Sequence, residues 1–280
     1  MTESPLQGRT LIMSGGSRGI GLGVAVAAAK LGANIGLMAK TDEPHPKLPG
    51  TIHTAAEEIR EAGGEVFTHV GDVRNEGSVA EMIEGVVERF GGIDIVVNNA
   101  SALTLKGSLE VTPKQYDLMQ DINSRGTWML TTTAMPHLLE SPDPRVVTFS
   151  PPLNFSRHWL AQFPAYTLSK YGMTILTLGF GAEFADRGLT ATCLWPETLI
   201  ATAAVANVVG GYDESRSVDI MSDAAMILLT SPRQKYNVQT VLDVDLLESE
   251  GITDFARYGG GDNPELGLFL DGPVRSSIPA

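Results

Sequence analysis

The sequence predicts an α/β fold, a doubly wound parallel sheet of seven strands with helices on both faces, on three observations. Short, continuous apolar and β-branched runs recur along the chain, as strands covered on both faces require. Stretches of helical pattern separate them, each long enough for a right-handed crossover. A glycine-rich turn follows the first run directly. The chain has 280 residues, 43% hydrophobic and 19% charged, with no internal repeat and no linker-like shift in composition, so residues 1–280 read as one domain.

The elements follow in order. TLIMS at 10–14 is the first strand, and SGGSRGIG turns the chain into an Ala-rich helix over 19–31. A strand at 33–39 runs into TDEPHPKLPG, residues 41–50, whose three prolines forbid helix and predict an ordered excursion or a flap. Then come a helix at 52–62, a strand at 65–70, a helix at 78–90 and a strand at 93–98. A long helix over 113–139 leads to a strand at 145–150, and a helix over 163–187 to a strand at 189–195. The Ala- and Val-rich stretch 197–217 suits a mobile apolar lid; a helix at 218–230 and a strand at 237–241 complete the sheet. An extension over 246–280 lies beyond it, and its end, DGPVRSSIPA, is expected to be poorly ordered.

Composition excludes several classes. With 33 acidic against 20 basic residues the net charge is −13, and no cationic cluster offsets it, so nucleic acid is not an expected partner. Cys193 is the lone cysteine and the five histidines have no ligand spacing, so no metal site is expected. The N-terminus lacks the pattern of a secretory signal, and no apolar run is long enough for a membrane span, which predicts a cytoplasmic protein.

The chemistry begins at the turn Ser14, Gly15, Ser17, Arg18, Gly19, Ile20 and Gly21. Glycines without Cβ atoms let a pyrophosphate approach backbone N–H groups, and the following helix N-terminus adds partial positive charge. At the end of the second strand, where NAD sites place an acid, the chain reads Met38-Ala39-Lys40. Lys40 and Arg18 could clamp a 2′-phosphate, which points to NADP. Asp72, with Val73, ends the third strand where an adenine edge would lie. Tyr166 and Lys170, four apart on one helix, project from the same face. A free phenol titrates near about 10. A cation about 4 Å away contributes about 4 kcal/mol at an effective dielectric of 20, enough to make Tyr166 a usable acid/base.

Together with Asn98-Asn99-Ala100 and Asn123, these motifs resemble the short-chain dehydrogenase/reductase family over nearly the whole chain. The resemblance implies a Rossmann-type domain and a nicotinamide cofactor held in part by Asn99 and Ala100. It further implies Tyr166 as acid/base, Lys170 lowering its pKa and binding the nicotinamide ribose, and Asn123 holding a relay water. The segments AKTDEPHPKLPGTIHTAAEEI, FSPPLN and LWPETLIATAA are similar to the hydroxysteroid dehydrogenase-like 2 branch, whose frequent C-terminal sterol-carrier domain is not expected here.

One departure from the family stands out. Its serine usually lies thirteen residues before the tyrosine, where this chain reads Ser150-Pro151-Pro152 with a longer loop. Ser150 is the substitute candidate, with Asn154 and Ser156 behind it. The family's Pro-Gly turn reads Pro196-Glu197, leaving Thr198 and Thr202 to contact carboxamide and phosphates. Trp159, Phe163 and Trp195 flank the expected active-site face. The function expected is reversible reduction of an apolar lipid, terpenoid or steroid-like carbonyl by an NADP(H) enzyme, acting as a homodimer or homotetramer paired through 117–139 and 163–187. The alternative is an NADP-binding sensor or scaffold with little turnover.

Overall fold

The computed structural model describes residues 4–44, 49–261 and 264–272. Among these, β1 (Thr10–Ser14), β2 (Asn34–Ala39), β3 (Val66–Val70), β4 (Ile95–Asn98), β5 (Arg145–Phe149), β6 (Thr190–Trp195) and β7 (Gln239–Leu242) form one all-parallel sheet in the order β3-β2-β1-β4-β5-β6-β7. The order reverses between β1 and β4, and Ser14 pairs with both Met38 and Asn98, so the carboxyl ends of β2, β1 and β4 lie level. A crevice at such a switch point is where open α/β sheets bind ligands.

Alternation along β1 shows why helices must cover both faces. Leu11 and Met13 enter one core with α1 (Gly19–Lys30), α2 (Ile52–Glu61), α8 (Asp219–Thr230) and α9 (Asp243–Ser249). Ile12 enters the other with α3 (Glu76–Phe90), α5 (Gly126–Leu138) and α7 (Pro164–Glu183). Local signals set the helix ends. Asn75 accepts from Ser78 N at 3.0 Å to start α3, Gly91 at φ 87° stops it, and Thr51 forms a capping box on α2.

The departures from expectation are local. The long helix at 113–139 is three pieces, α4 (Pro113–Met119), a π-helical stretch Gln120–Arg125, and α5. The structure also contains α6 (Arg157–Gln162), α9, a π-helical stretch Val205–Val209 and two 3₁₀ turns that the periodicity did not signal. Most of the extension is built structure, since α9 and the 3₁₀ turn Ala256–Tyr258 help pack Leu246, Leu247, Phe255 and Tyr258 into the core. Residues 45–48 of the proline-rich excursion and 273–280 of the expected disordered end lie outside the described residues. Among the described residues no helix is long and apolar enough to cross a membrane, and no three His, Cys, Asp or Glu side chains gather to hold a metal ion.

Candidate active site

A cavity of about 580 Å³ opens at the carboxyl ends of the central strands. Ser14, Gly15, Ser17, Arg18, Gly19 and Ile20 line one end of it. Gly15 has φ 74°, and a Cβ there would stand 2.8 Å from Ala100 Cα; a Cβ on Gly21 would meet Asn99 Nδ2 at 2.5 Å. The turn therefore tolerates no side chain where it presses on the Asn99-Ala100 loop. Gly21 serves that packing and does not line the cavity. Asn99 locks the loop by donating from Nδ2 to Ser14 O (3.1 Å) and Gly15 O (2.8 Å). No side chain caps the first turn of α1, so its N–H groups are open to an anion.

Charge along the lining points the same way. Its described cations are Arg18, Lys40 and Lys170 and its anion is Asp72, in a chain of net charge −13. Asp72 is already engaged, by Lys40 Nζ at 2.9 Å and Arg74 at 2.6 Å, and its bonds to Arg74 hold the carboxyl well below the usual range. Arg18 donates to Pro49 O (3.0 Å) and Gly50 O (2.9 Å), which ties the excursion to the turn. Val73, Asn99, Ala100, Pro196, Thr198 and Thr202 line the cavity as well. Thr198 Oγ1 is buried without a hydrogen-bond partner, a group waiting for a polar ligand atom. An uncapped helix start, a Cβ-free turn, a cationic lining and an orphaned hydroxyl fit a dinucleotide.

Tyr166 and Lys170 line the opposite end. Both are nearly buried on α7, 5% and 2% exposed. Burial pushes the Tyr166 phenol up, and the nearby Ser101 hydroxyl opposes that rise. The sequence expectation has Lys170 lowering the pKa of this phenol; burial is the largest influence in the structure and acts the other way. Burial also drives the Lys170 amine down to about 7. Lys170 Nζ donates to Phe149 O at 2.6 Å and Met173 Sδ at 3.3 Å, and stands 5.1 Å from the Trp195 ring centre. Asn123, fully buried in the π-helical stretch, accepts from Ala102 N (2.7 Å) and donates to Ala102 O (2.9 Å) and Ser169 Oγ (2.8 Å). It thereby fixes the loop that carries Ser101, and does not itself line the cavity.

Ser150 follows the end of β5 directly, as expected, but it does not reach the cavity. It is fully buried against Cys193 and lies off the cavity lining. Asn154 and Ser156 also lie off it, Asn154 being bonded to Phe269 O and Asp271. Trp195 does line the cavity, whereas Trp159 and Phe163 pack into an aromatic cluster with Phe269. Sequence reasoning missed Ser101, which lines the cavity beside Tyr166; its only signal was a hydroxyl next to Asn-Asn-Ala. It also missed Gly267 and Leu268, which arrive from a segment without periodicity. The 197–217 stretch, expected to be a lid, contributes Ala203, Ala204, Val205 and 207–209 to the cavity lining.

Comparison with known proteins accords with this arrangement. The family model described as short chain dehydrogenase matches residues 9–212. Hydroxysteroid dehydrogenase-like protein 2 of Danio rerio is 46% identical over 95% of this chain and 65% of its own length, and that of Homo sapiens 44% over 95% and 64%. The chain thus spans a little under two thirds of these relatives. A crystal structure of a short chain dehydrogenase from Mycobacterium thermoresistibile superimposes with a TM-score of 0.90 at 43% identity, covering 96% of this chain and 97% of that one. Fold, glycine turn and matched sequence agree, and the chain belongs to the short-chain dehydrogenase/reductase family.

Proposed function

We propose that this protein is an NADP(H)-dependent oxidoreductase that interconverts a carbonyl and an alcohol on a small apolar substrate, with Tyr166 moving the proton. The observation that carries this is one cavity with an anion-accepting glycine turn at one end and the Tyr166–Lys170 pair at the other. The turn residues 14–20 and Thr202 would hold the phosphates, Arg18 and Lys40 the 2′-phosphate, and Thr198 the carboxamide. When bound, the nicotinamide supplies or accepts the hydride.

The chain's own residues handle the proton. In reduction, carbonyl carbon gains a hydride and carbonyl oxygen must gain a proton; the Tyr166 O–H delivers it. The Ser101 hydroxyl on the same lining can donate to the phenolate left behind, and Lys170, one helical turn along α7, stabilises it in its protonated form. An amine held near 7 by burial can also return a proton between turnovers. Asn123 keeps the Ser101 loop in place, and 203–209 shield the reacting atoms from water. The apolar lining from Leu103, Ile122, Trp195 and Leu268 suits a hydrocarbon-like substrate. Exposed Trp128 on α5 and Leu168 and Ile175 on α7 support pairing of two copies through these helices.

The rival, a cofactor-binding protein without turnover, draws on Pro151 and on the seclusion of Ser150. A panel of aliphatic, cyclic and aryl carbonyls, screened at fixed NADPH by loss of the nicotinamide absorbance, separates the two. Steady consumption with one of them is expected; tight NADPH binding without consumption would favour the rival.

A further inference from the structure

Beyond the lid, the C-terminal segment returns to the reaction end of the cavity as a strap. Leu266 bridges to Thr198, and Gly267 donates to Glu197 O at 2.8 Å. A Cβ on Gly267 would stand 2.7 Å from Pro196 O, so the approach requires glycine. Trp195 Nε1 donates to Leu268 O (2.9 Å), Asn154 Nδ2 to Phe269 O (3.0 Å) and Asp271 Oδ2 (2.7 Å), and Trp159 Nε1 to Asp271 Oδ1 (2.9 Å). Between these anchors Phe269 is held at φ 71°, a conformation that L side chains rarely adopt, and is 0% exposed.

The ring so placed packs between the cavity wall and an aromatic cluster. It stacks on Tyr166 (centroids 6.0 Å apart, planes at 29°) and meets Trp195 at 6.1 Å, two of the aromatic residues that line the cavity. Its other neighbours are Trp159 (5.6 Å), Phe163 (5.8 Å) and Tyr171 (5.4 Å), none of which lines the cavity. Removing Phe269 would free a space walled by these rings directly behind the phenol.

We infer that Phe269 is the specificity-determining residue of this site, a plug that limits the carbonyl compound admitted beside Tyr166 to a slim apolar molecule, an unbranched chain or a single ring. The substrate class rests on the proposed function; the plug rests on the packing alone. An aromatic-lined space freed by truncation binds aromatic ligands when a ring fits it.

The test measures equilibrium binding of a one-ring ketone, acetophenone, and a two-ring ketone, 2-acetonaphthone, to the full chain by calorimetry, with and without NADP⁺. Phe269→Ala is expected to bind the two-ring ketone at least about tenfold more tightly than wild type, with acetophenone changed by less than about threefold. Phe269→Leu, which keeps most of the packed volume and guards against misfolding of the alanine variant, should shift in the same direction by less. Equal changes for both ketones, or no change in either variant, would overturn the inference. Should selectivity shift in a protein that reduces no ketone, the proposed reaction fails and the plug stands; unshifted selectivity in an active reductase has the opposite meaning.

Discussion

Ser101 and Ser150 are separated by their surroundings, one on the cavity lining with Tyr166, the other buried against Cys193. Ser101→Ala is therefore expected to slow ketone reduction by about tenfold or more, while Ser150→Ala leaves it within about twofold, since losing a hydrogen bond to a charged group costs about 1.5–3 kcal/mol. Steady-state rates with NADPH decide it, and the reverse ranking would return the role to Ser150. At the other end, Arg18 and Lys40 face the cavity with Asp72 already paired. Titration should show NADPH bound at least about tenfold more tightly than NADH, a difference of about 1.4 kcal/mol. Lys40→Asp should abolish the preference; equal affinities in wild type would contradict the assignment. Tyr166, Lys170 and the glycine turn were legible because helical and turn geometry tie spacing to placement. Ser101 was not, because its place depends on Asn123 holding the Ala102 backbone from another element.

The elements around the site are set by contacts that periodicity does not carry. A π-helical stretch interrupts the helix predicted over 113–139 and puts Asn123 inward; the hydrophobic pattern gave no sign of it. The start of the 197–217 stretch is fixed by Asp243 at the head of α9, whose Oδ1 accepts from Glu197 N and Val244 N, both at 2.8 Å. Burial pushes this carboxyl up to about 7. A folded pKa above the unfolded one means a contribution to stability that is full below about 4, the ordinary carboxylate value, and lost as pH rises through 7. Asp243→Asn keeps both accepted bonds without the titration. Its melting temperature relative to wild type should therefore rise between pH 5 and pH 8, and an offset independent of pH would contradict the burial argument.

At the scale of the whole molecule, strand count, parallel order and single-sheet architecture were readable because strands buried on both faces must be continuously apolar. The strap was not, since a coil that crosses the site by individual side-chain bonds leaves no pattern in sequence. Trp128, Leu168 and Ile175, 48%, 55% and 57% exposed, lie on the helices expected to pair. Light scattering should give a multiple of the 29.8 kDa chain mass, reduced toward the monomer by Ile175→Glu with Trp128→Glu. A monomeric wild type would contradict pairing. None of this bears on the proton, on which the proposed function depends. Single-turnover oxidation of bound NADPH by a carbonyl that wild type reduces, compared with Tyr166→Phe, is the most direct measurement. The variant keeps the ring stacked on Phe269 and deletes the proton, so cofactor affinity should hold within about twofold while the rate falls by at least about a hundredfold. A Tyr166→Phe protein that oxidised NADPH at most of the wild-type rate would contradict the assignment of Tyr166 as the proton donor.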